Sequence, residues 1–189
     1  MSHRGGPELW LVRHGETEWS RSGKHTSTTD LPLTERGEDV ARSLRDRLSD
    51  LAPDLVLSSP RERARRTAEL AGFPDVETDE DLVEWAYGEY EGVTTDEIRQ
   101  TVPDWTVWSH PTPGGETAED VTARLDRLID RVRRHHRVLA FGHGHTLRAL
   151  GARWIGQQVT DGRLFTLDTA TVSVLGYERE TPAVVRWNG

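Results

Sequence analysis

Three residues with complementary chemistry stand together near the start of the chain, as Arg13-His14-Gly15. They follow the apolar run of residues 9–12, so we expect them where a buried strand ends and a loop begins. An arginine side chain can bind two phosphate oxygens at once, and a neutral histidine can attack phosphorus. Glycine allows the backbone to approach a ligand closely. The tripeptide therefore predicts a site for covalent capture of a phosphoryl group.

A cluster of arginines opens a predicted helix that directly follows a strand, in the segment 58–68 (SSPRERARRTA). Free backbone N–H groups at a helix start favour anions, and Arg63 can reach back from this helix to the same ligand. Arginines on a helix more often form a solvated face, and we assign that role to at least one of Arg65 and Arg66. The segment therefore predicts Arg63 as a second phosphate-binding side chain.

An acidic residue, Glu84, lies among apolar and aromatic residues in the segment 82–92 (LVEWAYGEYEG). Burial there would raise the pKa of its carboxyl group and keep the group protonated. A protonated carboxyl can donate its proton to a leaving alkoxide. Because the chain holds 32 acidic residues, an ordinary surface position is the alternative for Glu84.

Two histidines separated by one glycine follow the last predicted parallel strand, in the segment 141–145 (FGHGH). His143 has the same setting as His14, beside glycine at a strand end, which indicates a role at the same ligand. The alternative is a metal site built from His143 and His145. Zinc would need a third ligand, usually with carboxylate or cysteine support, and the nearby arginines would repel a cation. We therefore expect neither a metal nor a cofactor.

The composition of the chain limits its partners. Its 189 residues fit one domain, 1–189, of which 1–7 are expected to be flexible. The net charge of −8 argues against nucleic-acid binding, and no apolar run approaches the roughly 20 residues that span a bilayer. Cysteine is absent and the first residues lack an apolar signal core. These features predict a cytoplasmic protein with a small-molecule partner and no membrane partner.

Strands and helices are expected to alternate along the chain. Predicted strands cover 9–12, 54–58 and 137–141, with two or three closing strands within 164–187. One helix is expected after a Thr34 cap, with the apolar face Val40, Ala41, Leu44, Leu48 and Leu51, and others over 61–71, 95–102, 117–134 and 145–155. The alternation predicts a three-layer α/β/α sandwich with a largely parallel sheet. Ligands bind beyond the carboxyl ends of such strands, which places His14, Arg63 and His143 at one edge.

In this order and in these contexts, the four segments resemble the histidine phosphatase superfamily, also called the phosphoglycerate mutase-like superfamily. The resemblance extends from Leu11 to about Arg153. It implies the fold of that superfamily and a two-step reaction, in which a histidine is phosphorylated and then hydrolysed by water. Position by position it implies His14 as nucleophile, Glu84 as proton donor, and the phosphate-binding side chains Arg13, Arg63 and His143. It also implies that no metal is needed, because cationic side chains hold the transferring oxygens.

Three segments, 23–34, 59–65 and 84–92, are similar to a narrower branch, which includes sedoheptulose-1,7-bisphosphatase-like enzymes and mycobacterial broad-specificity acid phosphatases. The resemblance implies a phosphomonoester substrate of the sugar phosphate class. Substrate contacts are expected at eight positions, for each of which an ordinary loop or surface role is the alternative: Gly15, Ser20, Thr26, Ser27, Arg61, Tyr87, Gly144 and His145. Arg61 or Lys24 is expected to hold a second anionic group. Ser20 stands where many relatives have asparagine, and its hydroxyl can donate directly or through water.

A phosphatase is favoured over a mutase by two departures from the mutase pattern. Mutases of the superfamily carry a long insertion with paired arginines, whereas 92–115 is short and holds only Arg99, and Trp85 replaces the mutases' arginine. Phosphoglycerate mutase stays open as an alternative, as do a phosphoprotein substrate and an inactive relative that binds phosphorylated ligands. All five catalytic positions are filled, which argues against the inactive relative. Trp105 and Trp108 either cover the pocket or cap the core.

Overall fold

One six-stranded sheet forms the centre of the molecule in the computed structural model, which describes residues 6–189. Its strands are β1 (Glu8–Arg13), β2 (Leu55–Ser58), β3 (Glu77–Thr78), β4 (Arg137–Gly142), β5 (Val172–Glu178) and β6 (Thr181–Arg186). They lie in the order β3-β2-β4-β1-β5-β6, parallel from β3 to β1 and antiparallel at β5 and β6. The predicted, largely parallel sheet is confirmed. Of the residues expected to be flexible, 1–5 lie outside the described residues.

Six α-helices surround the sheet in the described part of the chain: α1 (Glu18–Ser22), α2 (Glu35–Leu48), α3 (Glu62–Leu70), α4 (Thr95–Arg99), α5 (Ala118–Val132) and α6 (Gly144–Trp154). Short 3₁₀ helices cover Glu80–Leu82, Gly88–Tyr90 and Val159–Leu164. The predicted caps are present, since the hydroxyls of Thr34 and Thr117 accept from backbone N–H groups of α2 and α5. Between residues 6 and 189 no helix is both long and apolar enough to cross a membrane.

Successive side chains of β4 point to opposite faces of the sheet, so the core consists of two layers. Val138 and Ala140 pack in the cluster formed with α5 and α6, whereas Leu139 and Phe141 pack in the cluster formed with α2 and α3. A strand that is buried on both faces reads as a continuous apolar run, as residues 138–141 do. Helices therefore cover both faces of the sheet, which confirms the predicted α/β/α sandwich.

Two expectations about the helices were wrong in detail, and one helix was missed. Val40 is 40% exposed, because the buried face of α2 centres on Ala41 and Leu44 and Val40 lies about 100° around the helix from Ala41. The predicted helix over 95–102 ends at Arg99. The helix α1 was not predicted, because five residues are too few to show a helical period.

The carboxyl ends of three neighbouring parallel strands meet at one edge of the sheet. Arg13 at the end of β1 is in register with Gly142 at the end of β4, and Ser58 at the end of β2 is in register with Phe141. The pairing continues past the strands, because His14 donates its backbone N–H to the carbonyl of Gly142 at 3.0 Å. The residues that follow these strands are thereby brought together, as predicted.

Candidate active site

His14 is held as a neutral imidazole at the end of β1. Its ring is 5% exposed, and Nδ1 lies 2.7 Å from the carbonyl oxygen of Gly15. Because a carbonyl only accepts, Nδ1 carries the proton and Nε2 keeps a free lone pair. Burial, followed by the nearby cations Arg63 and Arg13, lowers the pKa of His14 well below its usual range. The imidazole is therefore neutral and fixed in the tautomer that nucleophilic attack requires.

Arg63 projects from α3 into a cradle of backbone carbonyls. Its side chain is fully buried, and its terminal nitrogens donate to the carbonyls of Thr29 at 3.0 Å and of Thr26 and Ser27 at 3.3 Å. The Asp30 carboxylate lies 3.9 Å away, beyond hydrogen-bond distance. Neutral carbonyls orient the guanidinium without neutralising it, so its positive charge stays available to an anion.

Arg13 is likewise anchored by a backbone carbonyl. Its guanidinium donates to the carbonyl of Leu167 and lies against the backbone of Gly144, where an added Cβ would come within 3.3 Å of Cζ. Glycine at this position therefore leaves room for the arginine. Burial lowers the pKa of Arg13, and the carboxyl of Glu84 opposes that effect.

His143 lies beside His14 at the end of β4. The ring centroids are 5.2 Å apart, and His143 is fully buried. Its Nε2 is 2.7 Å from the hydroxyl oxygen of Ser59, while Nδ1 has no hydrogen-bond partner within the described residues. Burial, together with the charge of Arg63, lowers the pKa of His143 well below its usual range. A second neutral imidazole thus lies next to His14.

Four buried nitrogens lack a hydrogen-bond partner among residues 6–189, and all belong to predicted site residues: Arg13 Nε, Arg61 Nε, Arg63 Nε and His143 Nδ1. Buried polar groups are nearly always satisfied in folded proteins, because an unpaired group costs about 1–3 kcal/mol. Three of these nitrogens belong to Arg13, Arg63 and His143, the residues that lower the pKa of His14 or lie beside it. The arginine nitrogens need an acceptor, and His143 Nδ1 needs one too when Nε2 accepts from the Ser59 hydroxyl; a phosphate oxygen can supply it.

Glu84 is fixed by backbone N–H groups at the start of α6. Its carboxyl group is buried, with 6% of the residue exposed. Its two oxygens accept from the N–H groups of Trp85 at 2.9 Å, His145 at 3.0 Å and Thr146 at 2.8 Å. The carboxyl thus occupies the positive end of α6 and is held rigidly.

A cavity of about 210 Å³ opens at this edge of the sheet. Eight of the predicted site residues line it: Arg13, His14, Ser20, Thr26, Glu84, Tyr87, Gly144 and His145. Five others are not part of the lining: Gly15, Ser27, Arg61, Arg63 and His143. The volume is smaller than the 300–1,000 Å³ typical of drug-sized ligands and suits a small metabolite.

Two residues predicted as substrate contacts, Gly15 and Ser27, make interactions within the protein. Gly15 lies against α2, where an added Cβ would come within 2.6 Å of the Gly37 carbonyl oxygen, and its N–H donates to the Thr67 hydroxyl at 2.9 Å. The hydroxyl of Ser27 donates to the Glu91 carboxylate. The close backbone approach that glycine allows at position 15 is therefore to α2.

The arginine-rich helix start also differs from the expectation. The first N–H of α3, at Glu62, donates to the Asp30 carboxylate at 2.9 Å, so this donor is occupied by the protein itself. Arg65 is exposed, and Arg66 pairs with Glu38 at 2.9 Å. Both positions are those expected of a solvated face.

A group of aromatic and imidazole rings forms one wall of the cavity. The hydroxyl of Tyr87 lies 2.5 Å from Nδ1 of His145, and the rings of His145 and His25 are stacked with centroids 6.1 Å apart. Desolvation raises the pKa of Tyr87 and lowers that of His145, so both are neutral. Trp105 and Trp108 pack behind this wall and do not line the cavity.

Sequence reasoning missed several residues of the cavity lining: Gly23, His25, Thr95, Arg148 and Leu167. Arg148 carried a usable signal, because it follows His145 by three residues on α6 and residues three apart share a helix face. Leu167 carried no such sequence signal, because its place in the cavity lining depends on how the segment before β5 folds. Among the described residues, no cluster of three or more histidine, aspartate or glutamate side chains is arranged to hold a metal.

Comparison with known proteins agrees with this geometry. An acid phosphatase of Mycobacterium tuberculosis is 41% identical over 90% of this chain and 86% of its own length. A sedoheptulose 1,7-bisphosphatase of Saccharomyces cerevisiae is 37% identical over 79% of this chain and 68% of its own. Mutases are also similar: a 2,3-bisphosphoglycerate-dependent phosphoglycerate mutase of a Methylobacterium species is 36% identical over 94% of this chain and 90% of its own.

The fold has a close counterpart among solved structures. A functionally characterised protein of Mycobacterium tuberculosis superposes with a TM-score of 0.92 and 38% identity, covering 96% of this chain and 97% of its own. Residues 9–189 match the histidine phosphatase superfamily, branch 1. The family match spans the four segments that carry the site, so the chain belongs to the histidine phosphatase superfamily.

Proposed function

We propose that this chain hydrolyses small phosphomonoesters through a phosphohistidine formed at His14, with sugar phosphates as the substrate class. The observation that carries the proposal is the pairing of a neutral imidazole, whose Nε2 is free, with unpartnered buried donors around it. The first element is a nucleophile and the second is a binding site for an anion. Relatives named acid phosphatase and bisphosphatase support the hydrolytic reaction and the substrate class.

In the first step, Nε2 of His14 attacks phosphorus and the bond from phosphorus to the ester oxygen breaks. Glu84 donates a proton to that oxygen, so the alcohol leaves neutral. The phosphoryl group passes through a transition state whose charge lies on its outer oxygens, which Arg13 and Arg63 stabilise. Nδ1 of His143, protonated when Nε2 accepts from the Ser59 hydroxyl, adds a third donor.

In the second step, water attacks the phosphohistidine. Glu84, now ionised, takes a proton from the water, and the bond from phosphorus to Nε2 breaks. Inorganic phosphate leaves and His14 returns to its neutral state. The same cationic side chains hold the oxygens in both steps, so the proposal needs no metal or cofactor.

Hydrolysis is favoured over mutase chemistry by the segment 92–115. Arg99, which is the arginine of this segment, donates to the carbonyl of Trp105 at 2.9 Å and is used by the loop itself. It is absent from the cavity lining. The paired arginines that mutases direct to the substrate carboxylate therefore have no counterpart in this segment, although mutases are among the relatives.

The deciding experiment is phosphate release from a panel of phosphomonoesters, with isomerisation of 3-phosphoglycerate followed in parallel. We expect release with little isomerisation, unchanged by EDTA, and an acid-labile phosphoenzyme after rapid quench. Isomerisation without release would make the chain a mutase. Binding of phosphomonoesters without turnover would make it a phospho-ligand binding protein. A cytoplasmic location stays a prediction.

A further inference from the structure

Arg148 is a cationic side chain of the cavity wall that the reaction described above does not use. It lies on α6 and lines the same cavity as Arg13 and His14. The first turn of α6 carries Gly144, against which the guanidinium of Arg13 packs. Arg148 follows Gly144 by four residues, which is about 6 Å along the helix axis. The cavity is thus lined by a second arginine besides Arg13, carried by the helix against which Arg13 packs.

The guanidinium of Arg148 is held in place without being neutralised. Its Nε donates to the carbonyl of Gly162 at 3.1 Å, and Cζ lies 4.8 Å from the ring centroid of Trp108. Within residues 6–189 no carboxylate lies within 4 Å of it. The carbonyl and the aromatic face orient the group while leaving the two terminal nitrogens unpaired.

The two arginines act on different parts of the cavity. Arg13 donates to the carbonyl of Leu167, whereas Arg148 donates to that of Gly162. Arg148 lies over the ring of Trp108, whose centroid is 5.1 Å from that of His145. Arg148 therefore belongs to the part of the cavity wall near His145. Half-buried, oriented and without a carboxylate, its guanidinium is suited to bind an anion there.

We propose that Arg148 binds a second anionic group of the substrate, at the end remote from the phosphoryl group that is transferred to His14. The substrate is then a small phosphomonoester with a further phosphate or carboxylate. This assignment rests on the proposed phosphatase function and replaces the expectation that Arg61 or Lys24 holds that group. Arg61 does not line the cavity, and Lys24, which does, is an exposed side chain on a loop.

The test compares matched substrates on the wild type and on Arg148→Gln. Fructose 1,6-bisphosphate is paired with fructose 6-phosphate, and 3-phosphoglycerate with glycerol 1-phosphate, so that one pair tests a remote phosphate and the other a remote carboxylate. 4-Nitrophenyl phosphate, which has no second anion, reports the reaction centre. Arg148→Lys keeps the charge, and Arg65→Gln removes an exposed arginine of α3 as the matched control.

We expect Arg148→Gln to raise KM for a doubly anionic substrate about 10- to 100-fold, as the loss of a charged hydrogen bond predicts, with kcat nearly unchanged. The singly anionic partner and 4-nitrophenyl phosphate should change less than about threefold, and Arg148→Lys should restore part of the loss. A raised KM for fructose 1,6-bisphosphate would identify the second group as a phosphate, and a raised KM for 3-phosphoglycerate would identify it as a carboxylate. Arg65→Gln should behave as the wild type on every substrate.

Two outcomes would overturn the assignment. An equal loss on all five substrates would show that Arg148 only supports Trp108 and the turn at Gly162. An Arg148→Gln enzyme with wild-type KM for both doubly anionic substrates would show that the second anion binds elsewhere. If the wild-type enzyme itself hydrolyses 4-nitrophenyl phosphate, neither of these results with the variant contradicts the phosphatase function. A wild type that releases phosphate from none of the five would refute the proposed function itself.

Discussion

The proposed reaction centre and the mouth of the cavity are held in different ways. The reaction centre (Arg13, His14, Arg63, Glu84 and His143) is largely buried, and four of these five side chains are anchored by main-chain groups. The mouth (Lys24, Thr26 and Arg148) is exposed or half-buried and is built mainly from a loop and a helix surface.

Because of this difference in anchoring, we expect the proposed reaction centre to determine the rate and the mouth to determine substrate selectivity. Main-chain anchors fix the attacking nitrogen and the anion-binding groups before a substrate arrives, which is how an enzyme lowers a barrier without reorganisation. Side chains at the mouth touch only the remote part of the substrate, so their loss changes binding more than the chemical step. Substitutions in the reaction centre should therefore reduce kcat on every substrate, and those at the mouth should alter KM on some.

The largest effect is expected from His14→Ala. Without the nucleophile no phosphohistidine forms, so turnover should fall by at least about 10³-fold on all substrates. Rapid quench with a ³²P-labelled substrate should trap acid-labile label on the wild type and none on the variant. Near-normal turnover, or label that persists on the variant, would remove His14 from the nucleophilic role.

Glu84→Gln should give an effect that depends on the leaving group. Because an amide cannot supply the proton, alkyl phosphates should slow by about 10²- to 10⁴-fold. 4-Nitrophenyl phosphate, whose leaving group needs no proton, should slow far less in the phosphorylation step. Single-turnover rates isolate that step, and their ratio between the two substrates is the readout. Equal losses on both would show that Glu84 only caps α6.

Arg63→Gln should reduce kcat about 10²- to 10³-fold on singly and doubly anionic substrates alike, because it removes charge stabilisation from the transition state. Arg65→Gln, two residues further along α3 and exposed, is the matched control and should leave kcat unchanged. Circular dichroism and thermal melting exclude unfolding of the Arg63 variant. A selective loss on doubly anionic substrates would place Arg63 at the mouth.

The smallest effect concerns stability towards acid. Burial lowers the pKa of four histidines around the cavity: His14, His25, His143 and His145. Below pH 6.5 their imidazoles bind protons in the unfolded chain and stay neutral in the native one, so the free energy of unfolding falls as the pH falls. Thermal melting should show a Tm that decreases between pH 7 and pH 5. A flat Tm across this range would contradict the burial of neutral imidazoles.

The pH dependence of kcat/KM also distinguishes the proposed reaction centre from the mouth, because the pKa of His14 is lowered. Because the nucleophile stays neutral below its usual pKa of 6.5, the acid limb of kcat/KM should lie below pH 6.5 for every substrate. The two substrates of a pair, one with and one without a second anionic group, should show the same acid limb. A limb above pH 6.5 would mean that His14 is charged in the free enzyme.

Local sequence was sufficient for the main elements and for the residue types of the reaction centre. The apolar runs at 9–12 and 137–141 had to be buried strands, and the glycine-flanked residues that follow them had to lie at strand ends. Parallel pairing then brings those ends together, which is why His14 and His143 could be assigned to one edge before any contact was known.

Contacts between distant segments were decided only by the tertiary structure. The carbonyl of Thr26, which helps to orient Arg63, is 37 residues away in sequence, and Thr146, whose N–H fixes Glu84, is 62 residues from it. No local period encodes such pairings, because they depend on how loops close over the sheet edge. For the same reason Gly15 proved to accommodate α2, and Arg148 came to line the cavity although its own motif ends at His145.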